Sequence, residues 1–387
     1  MLNYSVAELR VYTFLMTFCV GAGYMLALCP INKVNQEGRV ERNRLYQAIV
    51  FSIILVYVVI VGFRYNVGVD YKNYLGWYNI YFRTGKYPVK DMDSSFLFIN
   101  YVVKELNIHF SFIFCFLAYI LIYAILRGVR YMKFLYAFFF FFFFTIIFNE
   151  SMNVMRQIAA FFLCFCSFSL YFEGNKKRSL IIGIMAVLTH KSSLAALAWI
   201  PFLKIDAFKN RKITAFFLVV TFLMGISLYD YLKVVFVFVA PFFGNRLGGY
   251  ADEWSMEQFE EHTAAASGEG IAVVIYLFIN LLIVRYSTKL RQIYKDYHFS
   301  FYYNIFIIGQ MLNHICSLNT IFIRANYYFS LYNIVVLSFF CHYLLVKNKT
   351  SVLEKLCGMG IIVVYFLLHY RHIIQNDSIN PYKSILL

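Results

Sequence analysis

Apolar segments long enough to cross a bilayer recur along almost the whole chain. A membrane-spanning helix needs about 20 mostly apolar residues, with about 17–25 tolerated. The sequence is 61% hydrophobic and only 14% charged, whereas a soluble domain averages about 45–50% apolar and about 25% charged residues. These features exclude a soluble protein and predict an all-α polytopic membrane protein. We expect ten transmembrane helices, near residues 9–28, 45–63, 109–126, 134–149, 155–172, 213–229, 269–285, 299–318, 325–346 and 356–370.

The basic residues indicate which connections face the cytoplasm. The net charge is +15, but the lysines and arginines fall in short loops between apolar segments and not on one basic face. Short basic loops stay on the cytoplasmic side of a membrane, so the excess charge does not indicate a nucleic-acid partner. The loops assigned to that side are 32–44, 127–133, 173–178, 204–212, 285–295 and 347–355.

One apolar segment does not fit a simple alternation of spans and loops. Residues 179–203, "SLIIGIMAVLTHKSSLAALAWIPFL", lie between two cytoplasmic loops, which favours a re-entrant hairpin with His190 and Lys191 near its tip. Each arm has about 11–13 residues and extends about 16–20 Å, which reaches the middle of a bilayer. A full eleventh span is the alternative.

The chain 1–387 is therefore predicted to form a single integral-membrane domain whose long connections, 64–108 and 230–268, face outward. The segment "FRYNVGVDYKNYLGWY" follows the second span. An interfacial loop with aromatic anchors is the simpler interpretation of the tyrosines and Trp77. The opposite charges of Arg64 and Asp70 beside a span end fit a binding site equally well. Its candidate residues are Arg64, Asp70, Tyr71 and Tyr74.

A second polar cluster lies between two strongly apolar runs. The stretch "NESMNVMRQIAAFF" at 149–162 follows seven consecutive phenylalanines and begins the fifth span. A helix N-terminus attracts anions, and an arginine there adds a planar, bidentate donor for phosphate or carboxylate. An arginine at a span end also extends to lipid head groups, but that alternative does not call for the polar neighbours. We therefore expect a site at Asn153, Arg156 and Gln157.

Three further places add polar groups on the outward side. His190 and Lys191 form an ionisable pair at membrane depth, where such residues are costly and indicate a functional cavity by default; a hydrogen-bonded interior histidine is the alternative. The remaining candidates are Arg246 and Tyr250 in the Pro/Gly turn "APFFGNRLGGY", and Arg324 at the outer end of the ninth span. No zinc-type Cys/His spacing occurs, and we expect neither a metal nor a cofactor.

These candidates share one chemistry. Four arginines facing a lipid phase suit a lipid-linked phosphate or diphosphate, and the tyrosines offer flat, amphipathic surfaces to sugar rings. A histidine has the ordinary pKa that suits proton transfer near neutrality. His190 is therefore the first candidate for a general base, and Asp70 is the second.

Several short motifs resemble the EpsG-like family of bacterial exopolysaccharide polymerases, which belongs with the Wzy-type O-antigen polymerases. The motifs "NVMRQIAAFFL" and "KKRSLIIGIMAVLTHKSSLAAL" carry most of the resemblance, and "VGVDYKNY", "IRANYYF" and "NPYKSILL" add to it. Together they extend in order from about residue 60 to the C-terminus. The stretch "DSSFLF" at 93–98 departs from the more acidic, Pro/Gly-rich start expected there, and no role is assigned to it.

The resemblance implies a GT-C-like glycosyltransferase in the bacterial inner membrane, with an active site facing the periplasm. Such an enzyme transfers oligosaccharide repeat units linked to undecaprenyl diphosphate into a growing O-antigen, capsule or exopolysaccharide chain, without a metal. The resemblance also implies a flippase and a chain-length regulator as partners. A lipid-linked oligosaccharide exporter and an O-antigen ligase are the alternatives. An exporter is expected to show internal repeats, and none is visible in the sequence.

Overall fold

The computed structural model describes residues 6–34, 40–87, 92–239, 270–317, 319–347, 350–376 and 382–386. Helices dominate these residues. The elements are α1 Val6–Leu28, β1 Asn32–Val34, β2 Val40–Arg42, α2 Arg44–Gly62, α3 Tyr71–Thr84, α4 Ser94–Glu105, α5 Ser111–Val129, α6 Tyr136–Ile146, α7 Phe148–Asn153, α8 Met155–Phe172, α9 Lys176–Thr189, α10 Arg211–Val239, α11 Gly270–Ile293, α12 Phe299–Cys316, α13 Thr320–Ser330, α14 Tyr332–Val346 and α15 Val352–Gln375. Short 3₁₀ helices cover Arg130–Leu135, Lys191–Leu203 and Lys295–Tyr297.

The all-α, multi-pass architecture predicted from hydropathy is confirmed. In the part of the chain that the structure describes, seven helical segments are long and apolar enough to cross a membrane: Leu9–Leu28, Arg44–Gly62, Ser111–Ile146, Met155–Phe172, Ile271–Ile293, Phe322–Val346 and Val352–Gln375. The 36-residue segment among them contains two of the predicted spans. Helices α10 and α12 occupy two more. The total of ten spans stays a prediction, as does the GT-C-like fold.

The contacts divide the chain into two compact units, Met1–Ala196 with Cys341–Leu387, and Leu197–Phe340. In the first unit α8 packs against α5 and α9, α2 against α5, and α1 against α6. Helix α8 is buried on nearly every side, which is typical of a helix at the centre of a bundle. Gly128 allows close packing there, because a Cβ at this position would lie 2.6 Å from the Phe165 ring.

A C-terminal segment completes the first unit by pairing with the end of α2. Ser384 forms an antiparallel bridge with Arg64. Ile385 N donates to Phe63 O at 2.8 Å, and Tyr65 N donates to Lys383 O at 2.9 Å. The Tyr382 hydroxyl donates to Ile60 O at 2.6 Å. This segment therefore satisfies backbone groups that the end of a helix leaves without partners.

The second unit contains α10 to α13 and the first part of α14, up to Phe340. Helix α12 packs against α10 and α13, and Gly309 permits the α13 contact, because a Cβ there would lie 2.4 Å from the backbone of Phe329. Asn280 donates to Gln310 at 2.9 Å inside the unit. Arg291 forms an ion pair with Asp206.

The predicted hairpin segment contains a break at the expected place. Helix α9 ends at Thr189, His190 has extended backbone angles (φ −157°, ψ 119°), and a 3₁₀ helix follows from Lys191. With about 1.5 Å per residue in α9 and about 2.0 Å per residue in the 3₁₀ helix, the arms are roughly 21 and 26 Å long. The side of the membrane that residues 204–212 face, and with it the choice between hairpin and eleventh span, stays a prediction.

Candidate functional site

Four chain segments meet at one end of the first unit. They are the loop after α2, the residues before α4, the α7–α8 junction and the residues after α9. The hydrogen bonds that join them connect residues 63, 84 and 98 positions apart. This is the end that the sequence predicts to face outward, and most of the predicted site residues lie there.

Arg64 holds the loop after α2 in place. Its side chain is completely buried. Nη1 donates to Val61 O at 2.7 Å, Nε to Val67 O at 3.0 Å and Nη2 to Met152 O at 3.0 Å. Burial lowers the pKa of Arg64 to about 10, so the guanidinium keeps its charge at neutral pH. These three donors face backbone carbonyls, so in this structure Arg64 bonds the protein itself, and its role in binding a substrate stays a prediction.

Asn153 also supports this loop. The sequence placed Asn153 in the first turn of the fifth span, but it is the last residue of α7, and the non-helical Val154 separates it from α8. Its Oδ1 accepts a hydrogen bond from Val69 N at 2.7 Å. Gly68 has a φ of +95°, and a Cβ there would lie 2.8 Å from Met152 O. Gly68 and Val69 of the "VGVDY" motif therefore pack closely against Met152 and Asn153.

Arg156 is the centre of the site. It lies in the first turn of α8, as predicted, and its side chain is 6% exposed. Nη1 donates to Asp93 Oδ2 at 2.6 Å and to Met92 Sδ at 3.3 Å, and Nε lies 3.5 Å from the Tyr74 hydroxyl. Among the residues that the structure describes, none accepts a hydrogen bond from Nη2. Nη2 is therefore the guanidinium nitrogen to consider as a donor for a ligand.

Three aromatic rings surround the Arg156 guanidinium. Its central carbon lies 4.8 Å from the Phe96 ring centroid, 5.4 Å from that of Tyr74 and 5.7 Å from that of Trp77. Cation–π attraction of this kind is worth about 0.5–2 kcal/mol and grows as water is excluded. The rings therefore keep the guanidinium in a nearly dry setting, where its charge acts more strongly on an anion than it does in water.

Asp93 links Arg156 to the segment after α9. Its Oδ2 accepts from the guanidinium, and its Oδ1 accepts from the backbone N–H of Lys191 at 3.2 Å. The sequence identified Lys191 by its side chain, but the backbone makes this contact, while the side chain is exposed. Asp93 itself was missed, since it belongs to "DSSFLF" and resembles an ordinary helix start. The only available signal was its acidic character in an outward connection.

His190 adjoins this contact. Its Nδ1 lies 2.7 Å from Ser192 Oγ and accepts from Ser192 N at 3.3 Å. The short contact with the hydroxyl suits either neutral tautomer, whereas the backbone N–H requires an unprotonated Nδ1. A general base acting through Nε2 needs the other tautomer, in which Nδ1–H donates to Ser192 Oγ and the hydrogen bond from Ser192 N is lost. The serine therefore decides which proton-transfer role is open to His190.

The remaining candidates lie in different surroundings. Tyr71 is buried and stacks on Phe114 with centroids 4.9 Å apart. Asp70 is partly exposed, and its Oδ1 lies 3.5 Å from Asn73 Nδ2. Gln157 is buried in α8. Arg324 is exposed on α13 of the second unit. Arg246 and Tyr250 lie outside the described residues.

A comparison with protein-family models decides the relationship that the motifs suggested. The EpsG family model matches residues 47–384, which is most of the chain.

The chain belongs to the EpsG family.

The resemblance inferred from the short motifs is therefore confirmed. The match also covers "DSSFLF", so the departure there does not interrupt the EpsG relationship. No curated protein matches this EpsG-family chain, and no solved structure matches it.

Proposed function

We propose that this EpsG-family protein is a polysaccharide polymerase that joins oligosaccharide repeat units carried on undecaprenyl diphosphate. The surroundings of Arg156 support this most directly. Its charged guanidinium lies among aromatic rings, and none of the described residues accepts a hydrogen bond from its Nη2. A lipid-linked diphosphate supplies the anion that such a donor binds. The site is proposed to face the periplasm of the bacterial inner membrane.

The reaction is a glycosyl transfer between two lipid-linked substrates. The bond between the anomeric carbon of the growing chain and its lipid diphosphate breaks, and the diphosphate leaves with the electron pair. A hydroxyl at the non-reducing end of the other repeat unit forms the new bond to that carbon and loses its proton to a base. Positive charge placed at the leaving diphosphate stabilises the transition state, because negative charge develops there.

The residues take different parts in this scheme. Arg156 Nη2 binds a diphosphate oxygen, and the exposed Lys191 side chain adds a second positive charge beside it. Trp77, which is partly exposed, provides aromatic surface to the first sugar, while the buried Tyr74 holds the guanidinium. Arg64, Asn153, Tyr71 and Gln157 support these groups from inside the bundle. Arg246, Tyr250 and Arg324 are proposed to contact the second substrate.

His190 and Asp70 are the proposed bases. His190 follows the end of α9 and directly precedes Lys191. The Lys191 backbone bonds Asp93, the partner of Arg156, so His190 adjoins the Arg156 site. The tautomer with Nδ1–H donating to Ser192 presents the Nε2 lone pair to the acceptor hydroxyl. Asp70 begins α3, whose Tyr74 contacts Arg156, and it is the second choice.

Two other functions use similar chemistry. An exporter of lipid-linked oligosaccharides binds the same diphosphate without breaking a glycosidic bond. An O-antigen ligase transfers the same donor to a different acceptor. The polymerase is favoured over both because the motifs that carry Tyr74, Arg156 and His190 are those that resemble the exopolysaccharide polymerases.

Reconstitution tests the proposal. The purified protein is placed in liposomes with undecaprenyl-diphosphate-linked repeat units, and products are separated by length. We expect a ladder of polymers and release of undecaprenyl diphosphate. Transfer only to a lipid-A-type acceptor indicates a ligase, and movement of intact substrate across the bilayer without new bonds indicates an exporter.

The Arg156→Lys variant tests the site in the same assay. Lysine keeps the positive charge but lacks the rigid planar fork that directs one nitrogen to Asp93 and leaves another at a fixed position for the diphosphate. We expect the loss of most polymer while the protein still inserts and accumulates. Normal polymer from Arg156→Lys contradicts the role proposed for Nη2, and the arginine is then only a partner of Asp93.

A further inference from the structure

We propose that Asp93 is a positioning residue of the polymerase site, which fixes Arg156 and the His190–Lys191 backbone in one reactive arrangement. This inference rests on the proposed function, and it adds a residue to which no role was assigned.

Both oxygens of Asp93 are used, and each bonds a different part of the site. Oδ2 accepts from Arg156 Nη1 at 2.6 Å, and Oδ1 accepts from Lys191 N at 3.2 Å. The Asp93 residue is 3% exposed. Because a buried carboxylate needs compensating donors, the position of Asp93 requires that the guanidinium and the 190–191 backbone stay where they are.

The Asp93 side chain does not cap the helix that it precedes. Asp93 is the N-cap of α4, where an aspartate side chain ordinarily accepts a hydrogen bond from the backbone of the first turn. Here its side chain makes no capping hydrogen bond. The carboxylate is directed instead to two segments that lie 63 and 98 residues further along the chain.

The position of Asp93 has a chemical consequence for Arg156. Because Nη1 is held by the carboxylate and Nε faces Tyr74, the orientation of Nη2 is fixed by its neighbours. The same carboxylate holds the residue that follows His190. Asp93 therefore sets the distance between the group that binds the leaving diphosphate and the candidate base. A misplacement of about 1 Å in such an arrangement can cost about 10²-fold in rate.

A second ion pair in the first unit provides a matched control. Arg127 and Glu173 form a bidentate pair at 2.7 and 2.6 Å. It lies in the loops that the sequence assigns to the cytoplasmic side, away from the Arg156 segment. Its side chains are 15% and 19% exposed. Glu173→Gln therefore removes an arginine–carboxylate pair by the same chemical change as Asp93→Asn, without touching the site.

The test measures the polymerisation rate and the affinity for undecaprenyl diphosphate on the same liposomes. Asp93→Asn removes a negative charge from beside the guanidinium, so the affinity for the diphosphate stays the same or rises. The positioning is lost at the same time, so we expect kcat to fall about 10–100-fold. Glu173→Gln should leave both quantities within about threefold of the wild type.

A purely structural role predicts a different pattern, in which kcat and affinity fall together as the protein loses stability. That pattern, or an unchanged kcat in Asp93→Asn, overturns the proposal. If Asp93→Asn does not accumulate, Asp93→Glu replaces it: the charge is kept but the carboxylate is displaced, so kcat falls while the affinity stays near the wild-type value, and equal losses in both overturn the proposal.

The affinity arm separates this inference from the proposed function. If the wild type makes no polymer but binds undecaprenyl diphosphate, the polymerase proposal fails. An affinity in Asp93→Asn at or above the wild-type value then still supports the contact between Asp93 and the anion site. A clear loss of affinity in that variant counts against it.

Discussion

The carboxylate of Asp93 lies 2.6 Å from the guanidinium of Arg156, and both side chains are at most 6% exposed. Replacing a buried ion pair with apolar residues is often neutral or stabilising, while the loss of one partner alone costs about 3–5 kcal/mol. Stability therefore gives a weak reason for the pair. Its position where separate chain segments meet gives a stronger one, because the pair occupies one nitrogen of Arg156 and links it to the backbone at Lys191.

The fit between Gly68 and the α7 segment leads to the first prediction. Gly68→Ala places a Cβ 2.8 Å from Met152 O and 2.9 Å from Asn153 Oδ1, in a backbone conformation with φ +95°. Strain of this kind costs on the order of 1–3 kcal/mol. We expect lower thermal stability and a loss of most polymer, measured by unfolding in detergent and by product length.

Gly76→Ala is the control for this change. Gly76 lies inside α3, and a Cβ there meets nothing within 4 Å. Alanine is a better helix former than glycine by about 0.8–1.0 kcal/mol, so stability should hold or rise and polymer should be normal. Equal behaviour of the two alanine variants contradicts the close fit at Gly68.

The buried guanidinium of Arg64 leads to the second prediction. Arg64→Gln leaves the carbonyls of Val61, Val67 and Met152 short of donors, and each unsatisfied buried group costs about 1–3 kcal/mol. The thermal unfolding midpoint should therefore fall clearly, with polymer lost in proportion to folded protein. Arg83→Gln, at an exposed position on α3, should change stability by less than about 0.5 kcal/mol. A stable but inactive Arg64→Gln protein points back to a ligand role.

The third prediction concerns proton transfer at His190. General-base help is worth about 10²–10⁴-fold in rate, so His190→Ala should accumulate single lipid-linked repeat units while protein abundance stays near normal. Ser192→Ala removes the hydroxyl that accepts from Nδ1–H in the active tautomer and leaves the Ser192 N–H contact, which favours the inactive tautomer, so a smaller loss of rate is expected. If Asp70→Asn alone abolishes polymerisation and His190→Ala does not, then Asp70 is the base.

The fourth prediction concerns the path of the chain through the membrane. Tags placed in 32–44, 173–178, 204–212 and 347–355 should all be accessible only from the cytoplasm, because those loops are short and basic. A tag in 251–262 should be accessible from outside. Labelling with a membrane-impermeant reagent measures both. An outside location for 204–212 makes 179–203 a full span and rules out the hairpin.

Hydropathy allowed the helices of the spans to be predicted because a bilayer requires an apolar run within each local segment. It did not reveal the break at Val154, which depends on how α7 packs. It also did not show that the outward connection 64–108 contains α3 and α4. These short helices bury one face against neighbouring elements. That packing depends on residues distant in sequence, so hydropathy over a short segment does not predict it.

The site was predictable as a place more than as a set of contacts. Arg156 was recognisable because a charged side chain beside hydrocarbon is energetically costly and therefore indicates a functional site. Arg64 and Asn153 carried the same signal, yet their polar groups bond the protein itself. Asp93 carried almost no signal, because an aspartate before a helix is common. Polar residues in a membrane chain indicate where a site forms, but whether they face a ligand depends on partners far along the chain.

The pairing of Ser384 with Arg64 joins residues that are synthesised far apart in time. Tyr382 reaches Ile60 across 322 residues, and Ser384 reaches Phe63 across 321. Synthesis at about 5–20 residues per second takes roughly 16–64 s to cover that distance. The early spans therefore enter the bilayer long before the strand that completes their outer end exists. The antiparallel bridge at Arg64 cannot form until translation has passed Ile385, so these contacts of the first unit form only after the preceding membrane helices have been synthesised.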